Sequence, residues 1–95
     1  MIKPKYRVVQ SALFKKSVDR AIKQGKDAKQ LDDIVIKLAY GEKLHAKHKD
    51  HALKGDKKGY RECHITSDWL LIYRIYKDRL VLYLSEVGTH SELFD

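Results

Sequence analysis

Eight consecutive residues, Trp69-Leu70-Leu71-Ile72-Tyr73-Arg74-Ile75-Tyr76, constrain this chain more than any other feature. The run is β-branched, aromatic and apolar on both faces, which predicts a strand covered on both sides at the centre of a sheet. Two runs of similar character flank it, residues 60–65 and 80–87. The spacers are short, so the three strands read as an antiparallel meander.

The first half of the chain is patterned as helix. After Pro4, Tyr6-Arg7-Val8-Val9 reads as a short strand. Ser11 can cap a helix in which Phe14, Val18, Ala21 and Ile22 recur at helical spacing, and Gly25 is placed to end it. A second helix is predicted over residues 29–40, with Leu31, Ile34, Val35 and Leu38 as its apolar stripe, Asp32 and Asp33 in its first turn and Gly41 as its stop. The link between them is short, which predicts an antiparallel helical hairpin. The expected fold is therefore α+β, a single domain over residues 1–95: N-terminal strand, two-helix hairpin, three-strand meander. A chain of this length buries only about 60–65% of its extended surface. Its core is accordingly one layer of helix packed on sheet.

The N-terminal residues show no long apolar stretch and no small-residue cleavage site, so no signal peptide is expected. Nothing approaches the roughly 18 apolar residues of a bilayer span. One cysteine, Cys63, allows no internal disulfide and fits a reducing cytoplasm. Twenty Lys and Arg against thirteen Asp and Glu give a net charge of +7. Such a field concentrates polyanions at the surface, and nucleic acid is the leading partner class, ahead of an acidic protein.

Between residues 42 and 59 the periodicity vanishes. This long loop carries Lys43, Lys47, Lys49, Lys54, Lys57 and Lys58 together with His45, His48 and His51. Loops of this length are usually functional or mobile. The histidine spacing of three suggests ligands on a helix face, but the segment has no helical period and no partnering cysteine, so neither a metal site nor a cofactor is expected. With Lys77-Asp78-Arg79 at a hairpin tip, Tyr76 faces Leu80 and Asp68 faces Gly88. With Thr66-Ser67 in the preceding turn, His64 falls beside Asp68 and Trp69, and His90 emerges at the same end. Titratable groups far apart in sequence thus converge on one rim. Singly, each has a plainer reading: Asp68 as a turn residue, Trp69 as core, Tyr60, Tyr73, Tyr76 and Tyr83 as sheet packing, and Cys63 as an inert packed thiol.

Four segments resemble the YafQ-type toxins of the RelE superfamily: Lys49-Asp50-His51-Ala52-Leu53-Lys54-Gly55, Gly59-Tyr60-Arg61-Glu62-Cys63-His64-Ile65, Asp68-Trp69-Leu70-Leu71-Ile72-Tyr73 and Gly88-Thr89-His90-Ser91-Glu92-Leu93-Phe94. They span the chain in the family's order. The resemblance implies an endoribonuclease acting on messages in the ribosomal A site and silenced by a cognate antitoxin of DinJ or RelB type. It assigns His51, His64, Asp68, His90 and Phe94 to the active site. The family pattern also has an arginine four positions before the last histidine, where this chain has Glu86. Arg61, Arg74 or a loop lysine are the cations available to replace it, and Trp69 would support the site.

These residue types suit metal-free RNA cleavage. One histidine deprotonates the 2′-hydroxyl and another protonates the leaving 5′-oxygen, because a pKa of about 6.5 keeps both states accessible. The expected roles are His90 as acid, His64 as base oriented by Asp68, and His51 at the phosphate or sharing proton transfer. Lys43, His45, Lys47, His48, Lys49, Lys54, Lys57, Lys58 and Arg74 would grip RNA backbone. The same superfold also hosts ParE-type poisons of DNA gyrase, and a basic ribosome-binding protein is a further alternative. The His/Asp constellation favours cleavage, which a gyrase-binding protein has no need of.

Overall fold

The structure, a computed structural model, describes residues 3–94. Five strands form one sheet: β1 (Arg7–Gln10), β2 (His51–Ala52), β3 (Arg61–Thr66), β4 (Trp69–Tyr76) and β5 (Val81–Gly88), in the order β1-β5-β4-β3-β2. The run apolar on both faces is the middle strand. From Trp69 to Tyr73 no β4 residue exceeds 2% exposure. Its side chains alternate as a strand requires. Trp69, Leu71 and Tyr73 pack under the two long helices, while Leu70 and Ile72 face the other way, beneath Leu93.

Helix α1 (Ala12–Lys23) begins where Ser11 Oγ accepts from the Phe14 N–H at 2.8 Å. Phe14, Ser17 and Ala21 are buried, so the stripe is rotated from the one expected and Ile22 is 48% exposed. Helix α2 (Ala28–Ala39) starts one residue earlier than predicted, capped by Asp27. Asp32 and Asp33 therefore lie beyond the first turn; Leu31, Ile34 and Leu38 are buried as expected.

Strand β1 pairs parallel with β5, but only from Val81 to Leu84. Beyond that point the edge of β5 is completed by α1. Ser11 Oγ donates to the Ser85 carbonyl (2.7 Å), and Ser17 Oγ accepts from the buried Val87 N–H (3.1 Å). A buried N–H left without an acceptor costs about 1–3 kcal/mol. Ser17→Ala should therefore lower unfolding stability by about that amount, measured by denaturant titration; an unchanged midpoint would contradict this role.

Two features move the β4–β5 register from its expected place. The turn takes in Leu80, which adopts a left-handed backbone (φ 52°), so Tyr76 pairs with Val81. A bulge between the Ile72 and Tyr73 partners then leaves Ser85 unpaired. Each shifts the ladder by one residue, and Gly88 ends opposite Leu70, not Asp68.

The segment read as a structureless loop has local order. It holds two short 3-10 turns, Ala46–His48 and Gly55–Lys57, and contributes β2, which extends the expected meander by an edge strand on β3. Residues 90–94 fold back over the sheet as a one-turn helix α3 (His90–Phe94), with Leu93 buried against Leu70 and Ile72. Among the described residues, no helix is long and apolar enough to cross a membrane.

Candidate active site

The sheet face opposite the helical hairpin carries the titratable groups. Pairing places His51, Glu62, Ile72 and Glu86 in one row across β2, β3, β4 and β5, with His64, Leu70 and Gly88 in a second row of the same face. His51 and His64, 13 positions apart in sequence, thus share one carboxylate. Glu62 Oε1 lies 3.6 Å from His51 Nε2 and 3.9 Å from His64 Nε2. Glu62 is only 5% exposed, and its Oε2 is buried without a hydrogen-bond partner.

Backbone contacts fix how the rings present themselves. His51 Nδ1 lies 2.6 Å from the Lys49 carbonyl. A carbonyl only accepts, so Nδ1 carries the proton and Nε2 faces Glu62, as a free base when the ring is neutral and as a donor when it is charged. His48 Nδ1 donates in the same way to the His64 carbonyl (2.6 Å), which pins the 42–59 segment along β3. His45 Nδ1 accepts from the Lys47 N–H (3.0 Å) and caps the first 3-10 turn. His45 and His48 therefore shape the segment that delivers His51.

A second clamp sits one residue before His51. Asp50 Oδ1 accepts from the Tyr73 hydroxyl (2.6 Å) and from Arg61 Nε (3.2 Å). Burial, then the bond to the Asp50 carboxylate, pushes the Tyr73 hydroxyl above its ordinary range. Arg61 lies on the strand face shared by Cys63 and Ile65, and its guanidinium is paired with Asp50.

One expectation is corrected. Asp68 is exposed in the two-residue turn between β3 and β4, and the carboxylate beside His64 belongs to Glu62. The reason is the β3–β4 turn, which is Ser67-Asp68 and not Thr66-Ser67, so that His64 pairs with Leu70. Trp69 is 1% exposed in the hairpin-side core, in line with its plainer reading. Cys63 is fully buried, and burial pushes its thiol up to about 12, which makes it the inert residue expected.

Helix α3 brings the last groups over the same face. His90 and Phe94 share one side of it, with ring centroids 5.1 Å apart. Thr89 and Glu92 cap it reciprocally. The Thr89 N–H donates to Glu92 Oε1 (2.8 Å), and the Glu92 N–H to Thr89 Oγ1 (3.2 Å). Glu92 also pairs with Arg20 of α1 at 3.3 Å. The Thr89 N–H first, with Arg20 beside it, holds the Glu92 carboxyl below the usual range. Phe94, Leu93, Leu53, Lys54, Asp56 and Lys57 line a groove between α3 and the second 3-10 turn. Lys43, Lys47, Lys49, Lys54 and Lys58 are exposed, and Lys57 is partly so.

Glu62, Asp50 and Tyr73 were not singled out from sequence. Glu62 had one usable signal, a carboxylate two positions from His64 on the same strand face. Thr89-His90-Ser91-Glu92 is itself a capping-box pattern that announces α3. Among the described residues, no group of three or more His, Cys, Asp or Glu side chains is arranged to hold a metal ion.

The profile described as "Bacterial toxin of type II toxin-antitoxin system, YafQ" matches residues 6–95. The mRNA interferase toxin YafQ of Escherichia coli strain K12 is 39% identical over 85 residues, covering 88% of this chain and 90% of that protein. The crystal structure of the E. coli DinJ-YafQ toxin-antitoxin complex superposes with a TM-score of 0.87 at 35% identity, over 96% of this chain and 99% of the matched one. A metal-bound toxin from Helicobacter pylori gives 0.88 at 43% identity, over 94% and 99%. Agreement in sequence over residues 6–95, and in fold with the solved YafQ structures, places this chain in the YafQ family of toxins from bacterial type II toxin–antitoxin systems.

Proposed function

We propose that this chain is an endoribonuclease that cuts messenger RNA on the ribosome and is held inactive by a cognate antitoxin of the DinJ or RelB type. The observation that carries this reading is the Glu62 carboxylate between His51 Nε2 and His64 Nε2, on the face over which α3 brings His90.

His64 takes the proton of the 2′-hydroxyl, and Glu62 stabilises the cation that forms. The 2′-oxygen bonds to phosphorus, the bond from phosphorus to the 5′-oxygen breaks, and His90 protonates that oxygen. The products are a 2′,3′-cyclic phosphate and a free 5′-hydroxyl. His51, with its tautomer set by the Lys49 carbonyl, contacts the phosphate or shares the proton transfer. Phe94 supports His90 by ring contact. The orienting role expected of Asp68 passes to Glu62.

Lys43, Lys47, Lys49, Lys54, Lys57 and Lys58 form the electrostatic grip on RNA backbone, which adds affinity without base specificity. An antitoxin that covers this surface would be acidic where it does so. Mapping the 5′ ends of a translated message tests the function. Discrete cuts that require engaged ribosomes are expected; an intact message under growth-inhibiting amounts of the protein would contradict the nuclease reading.

A further inference from the structure

Cleavage places developing negative charge on the non-bridging phosphate oxygens, and an oriented cation stabilises it strongly. The row at the centre of the proposed site holds two carboxylates, Glu62 and Glu86, and no fixed cation. Most guanidinium groups nearby are engaged: Arg61 with Asp50, Arg20 with Glu92, Arg79 with Asp78.

Arg74 is different. It lies on the α3-side face of β4, two residues or about 7 Å along the strand from Ile72, the direct partner of Glu86. Its guanidinium carbon sits 4.8 Å from the Tyr76 ring centroid and 5.4 Å from that of Tyr60, which itself packs on Leu70 and Ile72. Gly59 (φ 96°) approaches so closely that a Cβ there would meet that carbon at 3.0 Å. Among the described residues, no carboxylate lies within ion-pair distance of Arg74. Two aromatic faces and a glycine thus hold a guanidinium whose charge no neighbour neutralises. Orientation by rings leaves its N–H fork available for bidentate contact with a phosphate.

We infer that Arg74 is the cation that binds the scissile phosphate in this chain, with Tyr60, Tyr76 and Gly59 as its positioning residues. This rests on the nuclease reading above. It differs from a general RNA-gripping role because it predicts a loss in the chemical step. Single-turnover cleavage at saturating toxin, on ribosomes carrying message, separates the two. Arg74→Ala should cleave about 100-fold more slowly than wild type. Adding Glu86→Arg, which returns a cation to the adjacent strand of the same face, should recover at least about tenfold. Where Arg74→Ala lowers the melting midpoint, Arg74→Met, which keeps the stem on the two rings, is read in its place. A saturating rate within about threefold of wild type would overturn the inference, as would a defect that higher concentration removes or a loss that Glu86→Arg leaves untouched. Wild-type protein that leaves the message intact would overturn the nuclease reading itself; wild-type cleavage with an undiminished Arg74 variant would overturn this inference alone.

Discussion

Replacing Glu62 by leucine should make the protein more stable and the enzyme slower. The carboxylate is 5% exposed, its nearer oxygen has only the two imidazoles at 3.6 and 3.9 Å, and the other has no partner. A buried charge held this loosely is costly, and an apolar residue of similar size in such a place is often neutral or better by about 1–4 kcal/mol. Leucine would also pack beside Ile72, its cross-strand neighbour. A gain of about 1 kcal/mol or more in denaturant unfolding is therefore expected. Cleavage should fall at least about tenfold, because His51 and His64 lose the charge that stabilises their protonated forms. Opposite signs in the two measurements mark a group kept for function at the expense of stability. Equal or lower stability with full activity would remove Glu62 from the site. Glu62→Gln separates charge from shape: it should share most of the kinetic loss and less of the stability gain.

His90→Ala should leave the fold intact and nearly abolish cleavage. The side chain is exposed, and its ring contact is to Phe94, which is itself 37% exposed, so stability should stay within about 0.5 kcal/mol of wild type. A general acid contributes about 100-fold to 10,000-fold, and a loss in that range is expected. A folded His90→Ala protein that still stops growth at the wild-type dose would instead favour a binding poison.

The parts of the fold that were legible in the sequence are those set by periodic burial. The Trp69–Tyr76 run announced the central strand, and Leu31, Ile34 and Leu38 announced the buried side of α2. Ser11 was readable as a cap because its side-chain oxygen does one local job. Strand β2 was not readable: two residues make no pattern, and the contacts that hold them at β3, of Asp50 with Arg61 and Tyr73 and of His48 with the His64 carbonyl, are distant in sequence. The register failed for a related reason. The left-handed Leu80 and the bulge at Ser85 are settled by tertiary contacts such as Ser11 with the Ser85 carbonyl. The β3–β4 turn was misplaced by one residue as well, which put Asp68 beside His64 where Glu62 stands. An error of two residues leaves every side chain on its own face, so His64 still shares a sheet face with Leu70 and Ile72, on which Leu93 of α3 packs.

Arg61 shows the limit of reading charge without partners. By sequence it was as good a phosphate ligand as Arg74. In the fold Arg61 is tied to Asp50, whereas Arg74 is stacked between Tyr60 and Tyr76 with no carboxylate in reach among the described residues. Composition made the surface basic, but topology decides which cations are committed.

The central claim is that histidine side chains on this sheet face cut RNA by attack of its own 2′-hydroxyl. The chemical ends of the products test it most directly. Fragments from a message cut by the wild-type protein should carry 2′,3′-cyclic phosphates and 5′-hydroxyls, and His90→Ala should yield almost none. Products with 5′-phosphates and free 3′-hydroxyls would mean that water, not the 2′-oxygen, is the nucleophile, and would contradict the mechanism.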